Sequence, residues 1–263
     1  MAEVLVTGGT GVLGSKLVPA LRAAGHTVRV LSRRPDDGRV VGDLATGAGV
    51  AEAVRGADVV VHAASAFGKG VWETDVEGTR RLVVASREAG VGHLLYVSIP
   101  GVDRIPYGYY RAKHAAEQII AASGVPYTVL RAAQFHPLIG SLLRTMHRTP
   151  LLVLPSGWRV APVAVRDVAR HIAELTAAGP TNGIVEFAGP DTYEAADLAR
   201  TWLARRGERG YVLPVPVPGG LSKAIRSGAN LVGPDAPRGT TTWSEWIGSA
   251  DATEELGQYS ARR

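Results

Sequence analysis

A glycine-rich turn near the N-terminus constrains this chain more than any other feature. The letters TGGTGVLG place Gly8, Gly11 and Gly14 between the apolar run Glu3–Thr7 and a segment with leucines four residues apart. A strand, a glycine turn and a helix in this order indicate a dinucleotide-binding turn, in which the helix N-terminus attracts phosphates. The residues expected to contact the cofactor here are Gly8, Thr10, Gly11, Val12, Leu13 and Gly14.

The rest of the chain alternates short apolar runs with helical segments. This rhythm predicts an α/β fold, a Rossmann-type doubly wound parallel sheet built from right-handed crossovers. The rhythm changes after Ala133, so we expect a dinucleotide-binding core at residues 1–133 and a mixed region at residues 134–263. We expect the mixed region to complete the sheet at about 184–188, to contain a helix capped by Asp167, and to form a small C-terminal substrate-binding part.

Composition sets outer limits on function. The 263 residues are 46% hydrophobic, carry a net charge of +5 and include no cysteine, which excludes disulfides and thiol nucleophiles. The arginines are scattered among acidic neighbours, so we expect no nucleic-acid partner. The sequence has neither a signal-peptide pattern nor an apolar run near the ~20 residues that span a bilayer, which predicts a cytoplasmic protein with no membrane contact. No group of His, Asp or Glu residues in the sequence has the spacing of metal ligands.

The end of the second predicted strand indicates which dinucleotide is bound. An NAD enzyme usually has an acidic residue there, which accepts from the ribose 2′-hydroxyl. Here Ser32 occupies that place and is followed by Arg33 and Arg34. Guanidinium groups bind phosphate through charge-assisted hydrogen bonds, so we expect these three residues to select NADP(H).

A tyrosine and a lysine share one predicted helical face. In YGYYRAKH only Tyr109 stands four residues before the lysine, Lys113. At this spacing the two side chains project from the same side of a helix. A nearby ammonium favours the phenolate and lowers the pKa of a tyrosine, which suits acid–base chemistry.

Several motifs together resemble one family. TGGTGVLG, GDL at Gly42–Leu44, HAAS at His62–Ser65 and YYRAK at Tyr109–Lys113 resemble an atypical or extended short-chain dehydrogenase/reductase. The later stretches SGVPYTVLRAAQFHP and PVAVRDVA resemble its NmrA-like branch of NAD(P)-binding proteins, so the resemblance covers about residues 3–190.

The resemblance implies further roles. Tyr109 would be the general acid, Lys113 would also bind the nicotinamide ribose, and Ser98 would hold the substrate oxygen. The residues that the resemblance places beside the adenine and the riboses are Asp43, Leu44, Ala63, Ala64 and Ser65. His62 is expected to pack at a strand end.

Substrate contacts are expected from loops at the carboxyl ends of the strands. The candidates are Phe67, Trp72, Gln134, Phe135, His136 and Trp158, and Trp243 and Trp246 can add apolar walls. The leading hypothesis is an NADPH-dependent reductase of a small, largely apolar carbonyl, enone or quinone, acting as a monomer or homodimer. The alternative is a non-catalytic NADP(H)-binding redox sensor, a use known in the resembled branch. A nucleotide-sugar epimerase is weaker, because such enzymes carry a larger substrate domain.

Overall fold

A computed structural model describes residues 1–35, 38–66, 68, 70–147 and 149–260, and a parallel sheet forms its centre. The described strands are β1 (Glu3–Thr7), β2 (Thr27–Ser32), β3 (Arg39–Val41), β4 (Val59–His62), β5 (His93–Ser98), β6 (Tyr127–Ala132), β7 (Leu151–Pro155), β8 (Arg159–Val160), β9 (Gly183–Phe187), β10 (Tyr193–Glu194) and β11 (Tyr211–Val215). Seven of them form the sheet in the order β3-β2-β1-β4-β5-β6-β9, with every neighbouring pair parallel. The predicted Rossmann-type sheet is confirmed.

Helices connect these strands. The described α-helices are α1 (Val12–Ala23), α2 (Val50–Val54), α3 (Gly78–Glu88), α4 (Gly108–Ala121), α5 (His136–Met146), α6 (Val165–Ala178), α7 (Ala195–Arg206), α8 (Gly220–Arg226), α9 (Trp243–Ile247) and α10 (Ala250–Ser260). A π-helical turn, Trp72–Glu77, runs directly into α3. No helix in the described ranges is long and apolar enough to cross a membrane.

The sheet separates two hydrophobic cores. Val4, Leu5 and Val6 of β1 are all fully buried, and alternate residues of a strand point to opposite faces. Val4 and Val6 pack with α1 and α6, while Leu5 packs with α2, α3 and α4. Helices on both faces explain why the central strands are almost wholly apolar.

The C-terminal region has a core of its own, built around three tryptophans. Trp202, Trp243 and Trp246 are each at most 2% exposed, and their rings stack in sequence with centroids 5.9 and 5.2 Å apart. A parallel pair, β7 with β11, and an antiparallel pair, β8 with β10, lie beside this cluster. Trp243 and Trp246, predicted as possible pocket walls, are therefore core residues.

One local prediction for this region needs correction. Helix α6 begins at Val165 after the N-cap Ala164, and Asp167 lies inside its first turn instead of capping it. The buried Asp167 carboxylate accepts from the backbone N–H groups of Thr240 and Thr241, at 2.9 and 2.8 Å. The late strand expected near 184–188 is β9, and it forms the edge of the sheet beside β6. The proposed division at residue 133 stays a prediction.

Candidate functional site

The glycine turn between β1 and α1 is packed too tightly for side chains. Gly8 has a φ of +74°, and a Cβ atom built on it would lie 2.6 Å from the backbone nitrogen of Ala64. A Cβ atom on Gly14 would lie 2.4 Å from the carbonyl oxygen of Gly8. Because both neighbours are backbone atoms that cannot move aside, glycine is required at each position, and α1 starts close against the ends of β1 and β4.

The N-terminus of α1 presents backbone N–H groups at this turn. Gly11 is the N-cap residue, and no side chain caps the helix. Thr10 is exposed, whereas the side chains of Val12 and Leu13 are buried, so the last two can offer a ligand only their backbone. A tight glycine turn beside a helix end without a side-chain cap fits the pyrophosphate of a dinucleotide. The residues present therefore suit the predicted cofactor class.

The residues predicted to select NADP(H) over NAD(H) lie at the carboxyl end of β2, at the same edge of the sheet as the glycine turn. Ser32 ends β2, which pairs with β1, and its hydroxyl accepts from the backbone N–H of Arg34 at 3.2 Å. The side chains of Arg33 and Arg34 are exposed there. Asp43 is partly buried and accepts from a backbone N–H two residues further on, while Leu44 is 6% exposed and belongs to the core.

His62 lies beneath this turn. Its Nδ1 is 2.7 Å from the hydroxyl of Thr7, and its Nε2 is 3.0 Å from the hydroxyl of Thr79. Burial, assisted by the charge of Lys113, lowers the pKa of His62 from 6.5 to about 3. A neutral imidazole with both nitrogens engaged ties β4 to β1 and α3, which is a packing role.

Tyr109 and Lys113 meet two residues from elsewhere in the chain. The hydroxyl of Tyr109 lies 2.9 Å from that of Ser65, in the loop after β4. Asp75 accepts a hydrogen bond from Ser65 at 2.7 Å and forms an ion pair with Lys113 at 3.1 Å. We call Ser65, Asp75, Tyr109 and Lys113 the tyrosine cluster. Ala63 and Ala64 are half-buried in the segment that joins this cluster to β4.

Lys113 is buried at the centre of the tyrosine cluster. Its ammonium lies 4.9 Å from the ring centroid of Tyr96 and 5.9 Å from that of Tyr109, and it donates to the carbonyl of Val97 at 3.3 Å. Burial by itself would lower the pKa of Lys113, but the phenols of Tyr96 and Tyr109 and the carboxylate of Asp75 raise it above its ordinary value. Lys113 is therefore a permanent positive charge beneath Tyr109.

Ser98 is not part of the tyrosine cluster. It is 1% exposed, and its hydroxyl donates to Glu117 at 2.5 Å. Glu117 in turn accepts two hydrogen bonds from Arg131, at 2.7 and 3.0 Å. The structure therefore does not support Ser98 as the residue that holds the substrate oxygen, because its proton is engaged inside the protein. Ser65 is the serine whose hydroxyl contacts Tyr109.

Of the predicted substrate residues that the structure describes, Gln134 contacts the tyrosines at the start of α4. Gln134 donates to the hydroxyl of Tyr110 at 3.4 Å, and Phe135 beside it is half-buried. Trp72 is 51% exposed and lines a groove of about 490 Å³ whose other walls come from α3 and α4. Phe67 lies outside the described residues.

The remaining two candidates have packing roles. His136 is fully buried against Trp243 and Trp246, with 5.5 Å between its ring centroid and each of theirs. Burial lowers the pKa of His136 to about 4, so the ring stays neutral near neutral pH. Trp158 donates its indole N–H to the hydroxyl of Ser222 at 2.9 Å. The structure does not bring either residue to the tyrosine cluster.

The sequence analysis missed Asp75, although the sequence carries a signal for it. Asp75, Thr79, Leu82 and Ser86 recur at helical spacing, and all four are at most 1% exposed. An acidic side chain on the same stripe as a leucine is directed into the protein, where it needs a partner. The spacing could have shown that Asp75 is buried, but the identity of its partner depends on how α4 packs.

Comparison with known proteins assigns the chain to a family. Residues 8–177, well over half of the chain, match the family model of NAD(P)H-binding proteins. A 2-alkyl-3-oxoalkanoate reductase from Stenotrophomonas maltophilia is 35% identical over 151 residues, which are 47% of this chain and 45% of that protein. The alignment thus spans less than half the length of that relative.

Solved structures share the fold over nearly the whole chain. A short-chain dehydrogenase/reductase superfamily protein from Agrobacterium tumefaciens with bound NAD has a TM-score of 0.74 and 21% identity, covering 99% of this chain and 100% of that one. An NADPH-dependent quinone oxidoreductase from Escherichia coli, in complex with NADPH, has a TM-score of 0.77 and 20% identity, covering 93% and 98%. At these identities the likeness shows the fold, which agrees with the family resemblance of the sequence motifs.

Proposed function

This chain belongs to the NAD(P)H-binding protein family, and from that premise we propose that it is an NADPH-dependent oxidoreductase that reduces a small, largely apolar carbonyl, enone or quinone. The observation that carries the proposal is the tyrosine cluster itself. The hydroxyl of Tyr109 lies 2.9 Å from Ser65, its ring lies 5.9 Å from the ammonium of Lys113, and the same loop leads back to the turn at Gly8.

Each part of the chain has a role in this proposal. The glycine turn and the start of α1 bind the pyrophosphate, and Arg33 and Arg34 bind the 2′-phosphate. The reduced nicotinamide supplies the hydride when bound. Tyr109 donates a proton to the substrate oxygen, and Lys113 stabilises the negative charge that remains on the phenol. The hydroxyl of Ser65 orients Tyr109.

The surroundings of Tyr109 support an apolar substrate. Tyr110 packs against both Tyr107 and Tyr109, with ring centroids 5.8 and 6.4 Å apart. Tyr107 is 45% exposed, so this aromatic surface is partly open to solvent. Aromatic walls with a few polar tips are typical of sites for small, largely apolar molecules. The names of the two reductases compared above, for a 2-alkyl-3-oxoalkanoate and for quinones, are compatible with a small, largely apolar carbonyl or quinone substrate.

The Tyr109→Phe variant tests the catalytic assignment. It removes one hydroxyl and keeps the ring, so we expect turnover to fall about 10²–10⁴-fold while the Kd for NADPH, measured by calorimetry, stays unchanged. Tyr107→Phe is the matched control on the same helix and should retain turnover. Equal turnover of Tyr109→Phe and wild type would remove the proposed acid.

The wild-type protein distinguishes the rival functions in the same assay. NADPH binding without NADPH oxidation, across a panel of carbonyls, enones and quinones, would overturn the reductase and favour the sensor. NAD that stays bound through purification would favour an epimerase cycle. NADPH oxidation with one chemical class would support the proposal and name its substrate type.

The Arg33→Ala/Arg34→Ala double variant tests cofactor choice. Charge-assisted hydrogen bonds to a phosphate contribute about 1.5–3 kcal/mol each, so we expect the Kd for NADPH to rise at least about 10-fold and the Kd for NADH to stay constant. Arg87→Ala, another exposed arginine, is the control. An equal loss for both cofactors would contradict recognition of the 2′-phosphate.

A further inference from the structure

Asp75 is a fully buried carboxylate in direct contact with the tyrosine cluster. Its side chain is 0% exposed and both of its oxygens are occupied. One oxygen accepts from Ser65 at 2.7 Å and pairs with Lys113 at 3.1 Å, and the other accepts from the backbone N–H of Ala66 at 2.9 Å. A buried charge is costly unless it is paired and hydrogen-bonded, and every contact of this carboxylate meets that requirement.

The backbone at Asp75 is also held. The residue lies in the π-helical turn Trp72–Glu77, and π-helical turns are frequent at functional sites. Its carbonyl accepts from the hydroxyl of Thr79 at 2.6 Å, and that hydroxyl also contacts His62. The position of the carboxylate is thus tied to the strand that ends beside the glycine turn.

The hydrogen bonds from Tyr109 to Asp75 can run in only one direction. As the ionic partner of Lys113, the carboxylate of Asp75 only accepts, so the single proton of the Ser65 hydroxyl is donated to it. The hydroxyl of Tyr109 then donates to Ser65. This chain of hydrogen bonds requires the neutral phenol, because a phenolate has no proton to donate.

The charges favour the same state. An ammonium alone beneath Tyr109 would favour the phenolate, whereas an ammonium paired with a carboxylate at 3.1 Å acts as a dipole of much weaker field. The other titratable groups near the pair are Tyr96 of β5, His62 of β4 and Tyr110 of α4, and Tyr107, the N-cap residue of α4, packs against Tyr110.

Tyr96, Tyr110 and His62 do not change charge near neutral pH. Burial raises the pKa of Tyr96 and of Tyr110 above their ordinary values. Burial lowers the pKa of His62 to about 3. The balance at Tyr109 therefore depends on Lys113 and on its compensation by Asp75.

We propose that Asp75 is a positioning residue that keeps Tyr109 protonated, by compensating the charge of Lys113 and by ending the hydrogen-bond chain through Ser65. The inference rests on the proposed function, and it adds the direction in which the reaction runs. Reduction of a carbonyl needs a proton donor, whereas oxidation of an alcohol needs a phenolate that accepts one. The tyrosine cluster therefore favours reduction over oxidation at neutral pH.

A spectroscopic titration of Tyr109 tests the role of Asp75 without any substrate. Tyrosinate absorbance is followed against pH in wild type and in Tyr109→Phe, and the difference is the titration curve of Tyr109. The same pair of curves is recorded in the Asp75→Asn background. We expect Asp75→Asn to lower the midpoint by about one to two pH units, the shift that a newly uncompensated charge at this distance produces.

A control and a second variant separate this role from a structural one. Glu73→Gln removes an exposed acid from the same π-helical turn and should leave the midpoint unchanged. Asp75→Asn/Lys113→Met removes both charges and should return the midpoint to within about half a pH unit of wild type. An unchanged midpoint in Asp75→Asn, or a midpoint lowered by a full unit in the double variant, would overturn the inference. The double variant leaves no buried unpaired charge, so it serves even where the single variant fails to fold.

The titration also distinguishes this inference from the proposed function. A shifted midpoint in a protein that reduces no member of the panel would support the role of Asp75 and remove the reductase. Reductase activity with an unshifted midpoint would support the reductase and remove the role of Asp75. Where both hold, the alkaline limb of the rate of reduction should move to lower pH in Asp75→Asn by the same amount as the midpoint.

Discussion

Helix α4 carries two buried ion pairs one turn apart, and they differ in the groups that their polar contacts include. Lys113 pairs with Asp75 in the tyrosine cluster. Glu117, four residues later, pairs with Arg131 of β6 and accepts from Ser98. From the first pair, hydrogen bonds continue through Ser65 to the surface of the protein. In the second, Glu117 is almost fully enclosed, and the guanidinium that it binds through two hydrogen bonds also donates to the exposed Asp103 at 3.3 Å.

The contrast shows what separates an anchor from a site on one helix. The Glu117–Arg131 pair fixes α4 to the sheet, and the short bond from Ser98 completes it. The Lys113–Asp75 pair uses the same chemistry but includes an exposed serine and a half-buried tyrosine, so its protons can reach a bound molecule. The anchor provides the rigid support that a precisely positioned acid requires.

Breaking the anchor should have the largest effect on stability. Glu117→Ala leaves the buried guanidinium of Arg131 with only the exposed Asp103 as an ionic partner, so we expect the free energy of unfolding in urea to fall by about 3 kcal/mol. Glu117→Leu/Arg131→Met replaces the whole pair by apolar groups and should cost much less. A loss below about 1 kcal/mol in Glu117→Ala would mean that the anchor does not fix the helix.

Acid should affect the two regions differently. His62 lies beneath the tyrosine cluster with a pKa of about 3 in the folded protein, against 6.5 in the unfolded chain. Because the unfolded chain binds a proton that the folded state excludes, stability falls as the pH drops below about 6.5. Between pH 7 and 5 we expect wild type to lose about 2 kcal/mol more than His62→Gln.

Wild type and His62→Gln differ only at His62, so the other titratable groups contribute equally to both losses. Equal losses in His62→Gln and wild type would instead show that His62 does not contribute to acid sensitivity.

Breaking an exposed ion pair should have the smallest effect on stability, and it provides the reference for the Glu117 and His62 variants. Arg80 and Glu77 lie 3.4 Å apart on the surface near α3, with side chains 57% and 39% exposed. Solvent screens such a pair, so Arg80→Ala should change the free energy of unfolding by less than about 0.5 kcal/mol. A larger loss would show that burial alone does not separate the anchor from surface pairs.

Local features of the fold could be predicted from sequence, and distant contacts could not. The strand Glu3–Thr7, the glycine turn and the start of α1 follow from neighbouring residues, as does the shared face of Tyr109 and Lys113. The hydroxyl that contacts Tyr109 belongs to Ser65, 44 residues earlier, and no periodicity joins the two. Ser98 was expected to hold the substrate oxygen because it ends a strand, but that position leaves open which neighbour accepts its proton.

The sequence by itself determined the class of fold, the dinucleotide turn and the residue types available for proton transfer. These depend on backbone preference and on spacing within one element. Only the tertiary structure decided that Asp75 pairs with Lys113, that Ser98 bonds to Glu117, and that His136 is buried against tryptophans. The physical reason is that a buried polar group must find a partner, and packing alone decides which one lies within hydrogen-bonding distance.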